Sequence, residues 1–101
     1  MSRRFRDMET PEQAYARRQA GSAAQRSRQA AGKHDDEANR WQMDIDVYGR
    51  EGRDYSDPDK AAEGVRNRDW HRGQAARHTA DAERHEAIAR PPAPKKRRWR
   101  S

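Results

Sequence analysis

The last seven residues combine side chains that suit contact with nucleic acid. Lysine and arginine release counterions from phosphate backbones, and an indole ring stacks on an unpaired base. The residues concerned are Lys95, Lys96, Arg97, Arg98, Trp99 and Arg100. The tail therefore predicts contact with single-stranded or structured nucleic acid. A nuclear address, adhesion to anionic lipid and simple solubilisation are alternative interpretations of the same residues.

Arginine is also frequent near the N-terminus, and across the chain it outnumbers lysine nineteen to four. The planar guanidinium binds phosphate in a bidentate manner that an ammonium group cannot reproduce. A GC-rich coding sequence would produce the same excess without a functional reason. We assign nucleic-acid contact to the N-terminal set as well, namely Arg3, Arg4, Arg6, Arg17, Arg18, Arg26 and Arg28.

Histidines recur every seven residues near the C-terminal end, at His71, His78 and His85, with alanines between them. Residues seven apart on a helix stand about 10 Å apart, so one metal ion cannot bind two of them. A shared site would need histidines from a second helix. We therefore predict no metal site, and expect either solvated histidines or a pH-sensitive packing line.

The sequence lacks the motifs of common catalytic sites. It contains no P-loop, no glycine-rich dinucleotide fingerprint and no G-x-S-x-G motif. Paired carboxylates such as Asp44 and Asp46 need a dry pocket to shift a pKa, and this composition does not favour one. We expect no enzymatic activity and no cofactor.

The composition is poor in the side chains that build a core. There is no leucine, and isoleucine, valine and phenylalanine together occupy five positions. Such a composition with high charge is typical of disorder. We expect a mainly α protein with several short helices, no substantial hydrophobic core, partial disorder and an extended basic C-terminal tail. No apolar run is longer than the three residues of Ala14–Ala16, so we expect no membrane partner.

Charge divides the chain into blocks. Residues 1–34, a basic arm with an alanine-rich helix, carry eight Arg/Lys against three Asp/Glu, a net +5. Residues 35–64, an acidic centre with an amphipathic helix and a loop, carry ten acids against four bases, a net −6. Residues 65–101 carry eleven bases against four acids, a net +7, and divide into a His/Ala-rich helix over 65–90 and a proline spacer with the basic tail over 91–101.

Helix signals follow the same order along the chain. Thr10 and Pro11 predict a helix start, and Gly32 predicts its end. Small residues at four- and three-residue spacing predict one face of this helix, at Ala16, Ala20, Ala23, Ser27 and Ala30.

A second helix is predicted from Asp35 or Asp36 to Tyr48. Its apolar face contains Ala38, Trp41, Ile45 and Tyr48, and we assign protein binding to Trp41, Ile45 and Tyr48. Residues 44–48 also alternate as a strand would.

Residues 49–57 predict a loop, and Asp57 with Pro58 predicts the next helix start. This helix is expected to run to about Arg72 and to be interrupted at Gly73. A further helix is predicted over 74–90. Four- and three-residue spacing puts one line of residues on a single face, and Pro91 ends the helix. The line contains His71, Ala75, His78, Ala82, His85 and Ala89.

These patterns together predict a small non-enzymatic adaptor whose basic ends bind RNA or DNA and whose acidic, aromatic centre binds a protein partner. One alternative is a structural or assembly subunit that orders within a larger complex, as a homo-oligomer through its alanine-rich helices. Another is a translocated or nuclear-directed protein that uses the tail as an address. The expected location is cytoplasmic or nucleoid-associated, or nuclear in a eukaryotic or host-directed setting.

Overall fold

Two long antiparallel helices joined by a loop make up the fold. The structure is a computed structural model that describes residues 9–91. Helix α1 spans Pro11–Tyr48 and helix α2 spans Pro58–Ala89, with residues 49–57 between them. The mainly helical fold is confirmed. The predicted division into several short helices is wrong, because both helices continue through the glycines at which we expected them to end.

The predicted helix starts at Thr10 with Pro11 and at Asp57 with Pro58 are confirmed. The starts predicted at Asp35 or Asp36 and at residue 74 are wrong, because those positions lie inside the two long helices. The Thr10 hydroxyl accepts a hydrogen bond from the Gln13 amide at 3.1 Å, and the Gln13 side chain accepts one from the Thr10 amide at 2.8 Å. At the start of α2, the Asp57 carboxylate accepts a hydrogen bond from the Lys60 amide at 3.1 Å. These caps bind amides that have no acceptor within their own helix.

The helix ends also follow from local chemistry. The Asp57 amide donates to the Tyr48 carbonyl at 2.9 Å, which joins the two sides of the loop. Within the loop, Gly52 has a φ of 75°, a conformation that favours glycine. Helix α2 ends at Ala89, because Arg90 precedes proline and is extended.

Gly32 and Gly73 lie inside the helices rather than at their ends. A glycine costs about 1 kcal/mol relative to alanine in a helix interior. At either position, an added Cβ would meet nothing within 4 Å, so both glycines face away from the partner helix. The cost in helix propensity is confined to each glycine. On the opposite side of the helix, residues before and after the glycine pack against the partner helix.

The helices contact each other along a line on each helix that we call the seam. Its positions alternate at three- and four-residue spacing, as in a coiled coil. Every seam residue is buried or half-buried: Ala20, Ala24, Ser27, Ala31, His34, Ala38, Trp41, Ile45 and Tyr48 in α1, and Ala61, Gly64, Arg68, His71, Ala75, His78, Ala82, His85 and Ala89 in α2.

The predicted faces agree with the seam except in the first part of α1. The line from Ala38 to Tyr48 and the line from His71 to Ala89 both lie in it. The predicted small-residue stripe shares only Ala20 and Ser27 with the seam. The buried residues there are Ala24 and Ala31 rather than their neighbours, because the seven-residue repeat of α1 extends back from Ala38.

The described part of the chain has no substantial hydrophobic core. Its buried hydrophobic residues are all alanines: Ala20, Ala24, Ala31, Ala38, Ala75 and Ala82. Methyl groups allow the two backbones to approach closely, so dispersion contacts along the long seam replace the burial of large side chains. This is why the helices pack together although the composition led us to expect isolated helices or disorder.

Gly64 is required by close approach of the helices. A Cβ at this position would lie 2.9 Å from Cγ1 of Ile45 and 3.3 Å from the Trp41 carbonyl oxygen. Both distances are shorter than ordinary van der Waals contact. Glycine therefore makes room for the large side chains that α1 carries near the loop.

Candidate nucleic-acid interface

The hairpin topology brings the start of the N-terminal basic block beside the end of α2. Gly21 lies opposite Ala89, since a Cβ on Gly21 would be 3.8 Å from the Ala89 Cβ. The start of α1 and the end of α2 therefore form what we call the open end. The loop over 49–57 forms the closed end and lies within the acidic block. Among the described residues, 9–34 carry a net +3 and 35–64 a net −6, so α1 is basic toward the open end and acidic toward the loop.

Two predicted nucleic-acid-binding residues, Arg18 and Arg26, are exposed on α1. A third, Arg17, is half-buried and donates from Nε to the Glu9 carboxylate at 2.9 Å. This hydrogen bond raises the pKa of Arg17 above its ordinary value. The ion pair holds Arg17 against its own helix, so a phosphate would have to compete with Glu9.

The fourth predicted arginine in the described region, Arg28, joins the two helices. Its Nε and Nη2 atoms donate to the two Glu86 carboxylate oxygens at 3.0 and 2.7 Å. This pairing raises the pKa of Arg28 and, chiefly through the same hydrogen bonds, lowers the pKa of Glu86. Arg28 therefore has a structural contact at the open end in addition to its predicted role.

The other predicted nucleic-acid-binding residues lie outside the described residues. They are Arg3, Arg4, Arg6, Lys95, Lys96, Arg97, Arg98, Trp99 and Arg100. In sequence they directly precede and follow the two chain segments that form the open end.

The structure also reveals exposed cations that the sequence reasoning did not assign. On α1, Lys33 stands immediately before the seam residue His34, just as Arg26 stands before Ser27. On α2, Arg77 and Arg84 stand immediately before His78 and His85, and all four cations are exposed. The seven-residue spacing of these cations on each helix was the signal in the sequence that could have identified them.

These four cations share one side of the hairpin. An antiparallel pair has an approximate two-fold axis perpendicular to both helices, so equivalent seam-flanking positions fall on the same side. The contact of Gly21 with Ala89 sets a register in which Arg84 is level with Arg26 and Arg77 with Lys33. Successive levels are about 10 Å apart along the helices. Arg84 is also paired with Asp81.

On α2, Trp70 extends the row formed by Arg84 and Arg77 toward the loop. It stands seven residues before Arg77 and immediately before His71, and it is 57% exposed. An exposed indole beside a line of cations is the combination that favours stacking with a base or ribose ring.

The three residues assigned to protein binding lie near the closed end and are half-buried in the seam. Ile45 packs against Gly64, and the Lys60 Nζ lies 4.9 Å from the centroid of the Tyr48 ring. Part of their apolar surface is therefore used within the hairpin. Docking of a partner on Trp41, Ile45 and Tyr48 stays a prediction.

The histidines lie in the seam, and a fourth joins them from α1. His34 Nδ1 is 2.9 Å from His71 Nδ1, and the His34 and His78 ring centroids are 5.5 Å apart. The sequence reasoning missed His34, although its position between Ala31 and Ala38 was the signal. Among the described residues, no group of three or more His, Asp or Glu side chains is arranged to hold a metal ion.

Comparison with protein-family models, curated proteins and solved structures finds no match for this chain. Neither α1 nor α2, the helices of the described region, has an apolar stretch long enough to cross a bilayer.

Proposed function

We propose that the protein is a non-enzymatic adaptor that binds RNA or DNA at its open end and a protein partner at its acidic closed end. The observation that carries the proposal is the antiparallel hairpin. Among the described residues, it packs 9–34, which carry a net +3, along the C-terminal half of α2, while the loop at the other end lies within the block of −6. The proposed contacts with nucleic-acid phosphates then all lie toward the open end.

Electrostatics favours this arrangement. A polyanion is attracted to the open end and repelled by the closed end, so encounter orients the hairpin. Each phosphate neutralised by lysine or arginine releases counterions, which makes the affinity strongly dependent on salt. The exposed line of Arg26, Lys33, Arg77 and Arg84 supports phosphate contact along one side of the helices.

The proposal is tested by removing equal charge from the two ends. Arg18→Gln with Arg26→Gln lowers the charge at the open end, and Arg50→Gln with Arg53→Gln lowers it equally at the closed end. All four residues are exposed. Affinity for a fluorescent single-stranded RNA and a DNA duplex is measured by anisotropy across a salt series.

We expect the open-end variant to lose affinity and the slope of log affinity against log salt to fall by about 0.9 per lost contact with duplex phosphate. The closed-end variant should keep the slope. Equal losses in both variants would mean that total charge, rather than the open end, determines binding. Deletion of residues 95–100 tests the tail separately, and an unchanged affinity would remove its role.

Exposed apolar side chains favour a second candidate, a structural subunit that assembles with further chains. Met43, Trp70 and Ile88 are 67%, 57% and 59% exposed, although few large apolar residues exist in the chain. Sedimentation and circular dichroism of the pure protein distinguish the candidates. A defined oligomer with a cooperative melt and no affinity for nucleic acid would favour assembly.

A further inference from the structure

The seam contains a histidine cluster built from both helices. His34 comes from α1 and His71 from α2, and their Nδ1 atoms lie 2.9 Å apart. Trp70 packs edge-on against both rings, with centroid distances of 5.7 Å to His34 and 4.9 Å to His71. Two imidazole nitrogens therefore meet across the helix interface beside an aromatic ring.

The separation of the two nitrogens suits a particular coordination geometry. Metal–imidazole bonds are about 2.0–2.1 Å long, so nitrogens at this separation subtend an angle of about 90° at a shared ion. Tetrahedral coordination would need a wider separation, whereas adjacent positions of a tetragonal site fit. Nitrogen ligands in that geometry select Cu²⁺ or Ni²⁺.

We propose that His34 and His71 chelate a tetragonal divalent ion, Cu²⁺ or Ni²⁺, through their Nδ1 atoms and thereby link α1 to α2. Water completes the coordination, since the described residues hold no third ligand in place. His78 lies alongside with its ring at 10° to that of His34, a stacked arrangement that shields the site without ligating.

Backbone packing preorganises the pair. His34 lies between Ala31 and Ala38, and His71 lies four residues before Ala75. All three alanines are buried, so the backbones that carry the two imidazoles are held at a fixed separation. Without an ion, one Nδ1 donates a hydrogen bond to the other. When an ion binds, the donating imidazole carries its proton on Nε2 instead, so that both rings stay neutral and each Nδ1 offers a lone pair.

The test uses the full chain, Cu²⁺ as the probe and no nucleic acid, so its outcome is independent of the adaptor function. His34→Gln and His71→Gln remove one ligand each. His85→Gln is the matched control, since it removes a seam histidine on α2 outside the pair. Circular dichroism without the ion establishes that each variant is helical.

We expect the wild-type protein and His85→Gln to bind one Cu²⁺ with the electron paramagnetic resonance signature of two imidazole nitrogens. Binding should quench Trp70 fluorescence and raise the melting midpoint by at least about 5 °C. Each ligand variant should bind at least tenfold more weakly. The proposal is overturned by a wild-type signature without two imidazoles, by retained affinity in His34→Gln or His71→Gln, or by equal loss in His85→Gln.

Discussion

The half of the hairpin nearer the open end, the open half, and the half nearer the loop, the closed half, have the same seam spacing but pack differently. Toward the open end, alanine lies on both helices, and the contact between Arg28 and Glu86 crosses the interface. Toward the closed end, α1 carries Trp41, Ile45 and Tyr48, and α2 provides Gly64 opposite them.

This difference teaches that close approach, rather than apolar area, is the shared requirement. In the open half, both helices use methyl groups, which leaves the outer surfaces to charged side chains. In the closed half, a missing Cβ on one helix accommodates large side chains on the other. Substitutions that force the helices apart should therefore destabilise the fold in either half. Substitutions of the same kind on the outer surfaces should not.

The largest effect is expected from Ala82→Leu in the open half. Ala82 is 0% exposed, so a leucine would push the helices apart and destabilise the fold by about 1–3 kcal/mol. Ala80→Leu, at an exposed position of the same helix, should change stability by less than about 0.5 kcal/mol. Chemical denaturation followed by circular dichroism measures both. A stable Ala82→Leu variant would show that the open half is not closely packed.

A smaller effect is expected from Gly64→Ala in the closed half. The added methyl gains about 1 kcal/mol in helix propensity but overlaps with Ile45, so we expect a net loss of up to about 2 kcal/mol. Gly73→Ala adds the same methyl where nothing lies within 4 Å, and should stabilise by about 0.5–1 kcal/mol.

The two glycine variants should thus change stability in opposite directions, which thermal unfolding measures directly. An Ile45→Ala background removes the 2.9 Å overlap with Ile45 but keeps the 3.3 Å approach to the Trp41 carbonyl oxygen, so part of the cost of Gly64→Ala should disappear. The same sign for Gly64→Ala and Gly73→Ala would contradict the account of the closed half.

The smallest effect is expected from Glu86→Gln, which breaks an exposed ion pair of the open half. Arg28 lowers the pKa of Glu86 in the folded state, so the pair stabilises the fold above the ordinary pKa of 4.5. That contribution is lost as the pH falls through the lowered pKa. Melting midpoints of the wild type and variant should differ slightly at about pH 7 and converge as the pH falls through the lowered pKa. A difference in melting midpoint that persists in acid would show that packing, rather than the ion pair, causes the difference.

Local signals predicted the ends of the helices well. The Thr10 cap, the Asp57 cap and the stop before Pro91 depend on neighbouring residues, and all three are present in the structure. The interior of each helix was predicted less well. At Gly32 and Gly73 the sequence shows the propensity cost but not the partner helix, whose packing offsets it.

The features of the candidate site also differ in how well the sequence predicted them. The line through His71, His78 and His85 was predicted to share one face, and it does. Its meeting with His34 required the antiparallel pairing, which no local pattern specifies. The approach of residues 9–34 to the end of α2 also depends on that pairing, because the acidic centre separates them in sequence.

Distances between spin labels test the hairpin, the central claim, most directly. The chain has no cysteine, so Gln25→Cys can be combined with Glu83→Cys or with Ala62→Cys, all at exposed positions. The account predicts a shorter distance for 25–83, although those residues are farther apart in sequence, and about 35 Å for 25–62. A 25–83 distance longer than the 25–62 distance would contradict it, because the two basic blocks would then not meet.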